Sequence, residues 1–123
     1  MELRTAISQP DLLIALCQRI QNKYPSNPQG YCAPMTNELQ KELEKYGIKS
    51  RKVEGLFVLD EPYAGKFITH YDDEYEVPHD WLEHEGKILD ISAKMFRKYV
   101  GDKIPDIVHI NHISPLYSRY KHA

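Results

Sequence analysis

The chain has 123 residues, of which 41% are hydrophobic and 28% charged, with a formal net charge of −2. That length fits a single domain, residues 1–123, burying about two-thirds of the surface its unfolded chain exposes. The basic residues are scattered, which argues against a nucleic-acid partner. The longest apolar run, LLIAL, is too short to cross a bilayer, so no membrane partner is expected.

The opening stretch MELRTAISQPDLLIALCQ lacks the basic start and cleavage site of a signal peptide. A cytoplasmic location is therefore expected, with Cys17 and Cys32 as two free thiols. The first element is a helix from about Ser8 to Lys23. Ser8 is placed to cap it, Pro10 sits in the first turn and Asp11 meets its positive end. Leu12, Leu13, Leu16, Cys17 and Ile20 form its apolar stripe. YPSNPQG then breaks the chain.

CAPMTNELQKELEKY reads as a second helix, closed by Gly47. Cys32, Met35, Leu39, Leu43 and Tyr46 recur at helical spacing and make one face of it. Beyond Gly47 the period changes. IKSRKVEGLFVLD reads as a strand with a bulge at Gly55, GKFITHY as another strand, and DDEYEVP as an acidic connection. A hairpin, HDWLEHEGKILDIS, is followed by a short helix, SAKMFRKY, and IPDIVHINHISPLYS makes a final strand before a basic tail. Two helices followed by mostly antiparallel strands predict an α+β domain, with N-terminal helices packed on the sheet.

The two cysteines sit in different settings. Cys17 lies mid-helix among apolar neighbours, as a small buried hydrophobe would. Cys32 begins a helix after a turn-rich segment, where a thiol meets the positive end of the macrodipole. The unpaired N–H groups of that first turn could also receive an oxyanion forming beside the sulfur. Such a nucleophile needs a histidine to take its proton and a third group to orient the imidazole.

The hairpin offers both. A tight turn at Glu85-Gly86 sets His84 opposite Lys87 and Trp81 opposite Asp90. His79, Trp81, Glu83, Ile88, Asp90 and Ser92 then share one face, with His79 diagonal to Asp90. A three-residue loop over HEG would instead put His79 and Asp90 on opposite faces. Taken singly, His79 also reads as a sheet-edge histidine bonded to a carbonyl, and Asp90 as the cap of the helix that follows.

In their order, GYC opening a helix, LEKYGIKSRKVEG leading into a strand, then HDWLE and ILDIS, these motifs resemble the transglutaminase-like superfamily. The resemblance runs from Gly30 to Phe96. It implies a papain-like core, with Cys32 as nucleophile, His79 as general base and acid, and Asp90 as the orienting carboxylate. The activity implied is acyl transfer on amide bonds through a thioester, by a cysteine peptidase, glutamine deamidase or transglutaminase, with no cofactor. The implied partner is a protein or peptide substrate carrying a glutamine or amide bond.

The chain departs from the family pattern in two places: Ile91-Ser92 follows the aspartate in place of Pro-Thr, and Ser26 stands where papain-type enzymes carry an oxyanion glutamine. Asn27 and Gln29 are nearby substitutes for that donor. Trp81 would either wall the site and limit water or belong to the plain core. The alternatives are a non-catalytic protein-binding module on the same scaffold and a small metal-binding domain using Cys32, His79 and Asp90. His79 and His84, five apart, and His109 and His112, three apart, are poorly spaced to share a metal on strands.

Overall fold

The computed structural model describes residues 8–63 and 75–122. Helix α1, Gln9–Gln21, starts as its sequence directs: Ser8 accepts from the Asp11 N–H at 3.2 Å, and Pro10 lies in the first turn. Leu13, Leu16, Cys17 and Ile20 are buried. Helix α2, Cys32–Lys45, buries Met35, Thr36, Leu39 and Leu43. Tyr46, expected on that apolar face, is instead 48% exposed, because it falls at the C-cap where the helix unwinds into Gly47 at φ +73°.

The strands are β1, Arg51–Val58; β2, Glu76–His84; β3, Lys87–Asp90; β4, Val108–Ile110; and β5, Tyr120–His122. They form one antiparallel sheet in the order β4-β3-β2-β1-β5. This is the expected α+β architecture. Side chains alternate across the sheet, so its two faces build two cores. Leu82, Leu89 and Ile91 meet α1 and α2 on one face. Val53, Phe57, Trp81, Ile88 and Val108 pack on the other with Phe96 and Tyr99 of a 3-10 helix, Ala93–Tyr99.

Four expectations differ from what is observed. β1 pairs without a bulge, and Gly55 lies opposite both His79 and His122. A Cβ at Gly55 would stand 2.4 Å from Trp81 Cη2 and 2.5 Å from the Lys121 carbonyl, so the glycine answers to a close approach rather than a kink. The end of DDEYEVP is strand, because Glu76, Val77 and Pro78 pair with β1. The last apolar segment pairs only over Val108–Ile110, and a 3-10 helix, Pro115–Arg119, interrupts it. The basic tail beyond it is β5, which pairs with the far side of β1. The strand expected over GKFITHY lies outside the described residues. No described helix is long and apolar enough to cross a membrane.

Candidate functional site

The site begins at the Glu85-Gly86 turn. Glu85 has φ 52° and Gly86 φ 74°, the two left-handed residues that a type I′ hairpin turn requires. The resulting register pairs His84 with Lys87, Glu83 with Ile88 and Leu82 with Leu89. His79 and Asp90 therefore reach the same face, and His79 Nε2 meets Asp90 Oδ2 at 2.6 Å with both side chains fully buried. A carboxylate only accepts, so this contact keeps a proton on Nε2, and in the neutral ring it leaves the lone pair on Nδ1.

Asp90 is held by more than histidine. Its Oδ1 accepts from the Ser92 N–H at 2.9 Å and the Ser92 hydroxyl at 3.2 Å. Its Oδ2 also accepts from the Tyr120 hydroxyl at 2.7 Å. Burial alone would push the Asp90 carboxyl up, but the facing imidazole and these donors outweigh it and hold the group below its ordinary range. For His79, burial alone would push the ring down. The charge and hydrogen bond of Asp90, with the Cys32 thiol beside it, prevail and raise it above the ordinary histidine range.

The imidazole is boxed by aromatic rings. Phe96 stands 5.0 Å away edge-on, Phe57 5.7 Å, and Trp81 and Tyr120 each 6.2 Å. Such a wall keeps water off and lowers the local dielectric, which strengthens the His79–Asp90 attraction. Nδ1 is buried with no well-aligned hydrogen-bond partner. Its sister nitrogen is taken by Asp90, so Nδ1 is the one left for Cys32, whose thiol beside the ring helps to raise it.

Cys32 reaches that position through the loop before it. The Tyr31 N–H closes a turn onto the Pro28 carbonyl at 2.9 Å, with Gly30 at φ +85°. Glycine is favoured there, since the third position of a type II turn is left-handed. Cys32 is the first residue of α2 and only partly buried, and no side chain caps this helix end. α2 itself is tied to β2 by the Thr36 hydroxyl, 3.3 Å from the Asp80 carbonyl. Cys17 lies on the opposite face of the sheet among the helix core residues, wholly buried, with its thiol pushed up to about 12 by desolvation.

The remaining residues named from the sequence are placed as follows. Asn27 and Gln29 are both exposed in the loop before Cys32, where Asn27 Oδ1 accepts from the Gln29 N–H at 3.3 Å. Trp81 is core, 1% exposed, with its ring over Gly55 and its indole N–H buried without a partner. His84 lies on the other face and contacts His109 of β4, Nδ1 to Nε2, at 3.2 Å. Among the described residues, no group of three or more His, Cys, Asp or Glu side chains is arranged to hold a metal ion.

Sequence reasoning missed Tyr120 and the double hold of Ser92 on Asp90. Tyr120 gave no local signal, because a three-residue strand after a Pro-Leu-Tyr-Ser-Arg turn has no periodicity to read. Compared with known proteins, the chain matches no family model, no curated protein and no solved structure.

Proposed function

We propose that this protein is a thiol enzyme performing acyl transfer on amide bonds, of the transglutaminase-like kind with a papain-like core. The observation carrying this reading is the buried His79–Asp90 pair, whose one uncommitted ring nitrogen is left for a thiol at the start of a helix. In the reaction, the neutral form of His79 takes the Cys32 proton on Nδ1, giving a thiolate–imidazolium pair, and the thiolate sulfur bonds to the substrate's carbonyl carbon. The carbonyl oxygen becomes an oxyanion, and the Cys32 N–H, in the first turn of a helix that no side chain caps, receives it.

His79 then gives its proton to the departing nitrogen as the C–N bond breaks, leaving a thioester on Cys32. Water resolves the thioester in hydrolysis or deamidation, and a second amine resolves it in cross-linking. Asp90 keeps the imidazole in the tautomer these proton transfers need. A second reading, a protein-binding module that keeps the scaffold without turnover, draws on the complete burial of the His79 side chain.

Iodoacetamide labelling, read by mass spectrometry, separates the two. The acyl-transfer reading expects Cys32 to label at neutral pH while Cys17 stays unmodified in the folded chain. It also expects His79→Ala to slow Cys32 labelling by about tenfold or more. Cys32 labelling at the same rate with and without His79 would remove the base from the mechanism and leave the binding module.

A further inference from the structure

β5 contributes one side chain to the aromatic box around His79, and its position is secured from two directions. It pairs with β1, Phe57 opposite Tyr120 and Leu56 opposite Lys121. The preceding residue, Arg119, is largely buried and makes three contacts of 2.9 Å, to the Val58 carbonyl, Asp60 Oδ2 and Asp102 Oδ2. These bonds fix the entry to β5 against the end of β1. The Tyr120 ring stands edge-on to Phe57 and to Trp81, each at 5.0 Å.

Phenylalanine would fill that space as well. The hydroxyl is the part that packing does not require, and a buried hydroxyl is costly unless bonded. Its partner is Asp90 Oδ2, the same oxygen that accepts from His79. The Tyr120 hydroxyl is therefore a second donor to the atom through which Asp90 acts on the imidazole. We propose that Tyr120 is a positioning residue of the site, sharing Asp90 Oδ2 with His79 and drawing off part of its negative charge, so that it sets how firmly His79 keeps its proton.

The physical logic is a competition for one acceptor. A strong donor on Oδ2 stabilises the carboxylate and weakens its pull on the His79 proton. Burial first, and then the charge of Asp90, push the Tyr120 phenol well above its ordinary range, so it stays a donor throughout the working range of histidine. This inference deepens the acyl-transfer reading and rests on it for its consequence: a base held too tightly protonated cannot take the Cys32 proton.

The test is the titration of the His79 ring nitrogens by NMR in the full chain, with the signal assigned by its loss in His79→Gln. Tyr120→Phe should move the midpoint upward by about half a pH unit or more, because Asp90 is freed to act on histidine alone. A ring-fluorinated tyrosine installed at position 120 by codon suppression is a stronger donor of nearly the same shape. It should move the midpoint downward, and it decides the question if Tyr120→Phe does not fold. A midpoint that stays put in both chains, or moves the same way in both, overturns the proposal and leaves Tyr120 as packing.

Cys32 labelling by iodoacetamide in the same chains keeps the two claims apart. If the midpoints move in opposite directions but labelling ignores His79, the positioning role stands and the enzyme reading falls. If labelling depends on His79 but the midpoint ignores Tyr120, the reverse holds.

Discussion

Replacing Asp90 with asparagine keeps the side chain's size and removes its charge, leaving His79 without an ionic partner in a dry site. Both side chains are fully buried and in contact at 2.6 Å, so no solvent screening softens the loss. Removing one member of such a pair costs about 3–5 kcal/mol. For a chain of this length each kcal/mol is worth roughly 4 °C, so Tm should fall by roughly 12–20 °C.

The deficit should also depend on pH in a defined way. His79 is raised relative to its unfolded value, so its share of stability is complete below about pH 6.5 and is lost as pH climbs through the raised folded value. Asp90 is lowered, so its share is complete above about pH 4 and is lost as pH falls through the lowered folded value. Urea unfolding of both chains from about pH 3 to pH 11 should therefore show the largest difference between about pH 4 and 6.5, shrinking on either side. A deficit below about 1 kcal/mol at its largest, or one that is the same across the whole range, would refute the ion-pair account.

Two further outcomes follow from the hairpin and the sheet. Glu85 is a non-glycine residue at φ 52°, so Glu85→Asn should relieve left-handed strain and stabilise the domain by about 1 kcal/mol, read as a higher urea midpoint; a lower midpoint would mean the turn is not of the type I′ kind. Gly55→Ala forces a methyl group against the Trp81 ring and the Lys121 carbonyl, and should cost about 1–3 kcal/mol while displacing β5; a variant as stable as the parent would show that the sheet yields at that point.

Much of this molecule is written locally. Ser8, Pro10 and Asp11 open α1, Gly47 ends α2, and alternating apolar residues with Glu85-Gly86 set a hairpin whose register brings His79 beside Asp90. These features are legible because each depends on residues a few positions apart, through capping, period and turn geometry. The turn-to-helix passage at Gly30-Tyr31-Cys32 is legible for the same reason.

Only the tertiary structure decided the rest. Gly55 looks like a bulge in sequence, and it becomes a place for Trp81 only when β2 lies beside β1. Tyr46 keeps the helical spacing yet faces water, since the helix ends before its side chain meets the sheet. The C-terminal tail reads only as basic until β1 offers it an edge, and that pairing delivers the Tyr120 hydroxyl to Asp90 from thirty residues away. Contacts across such separations depend on which edges and faces remain free after the local elements form, and no short-range pattern encodes that.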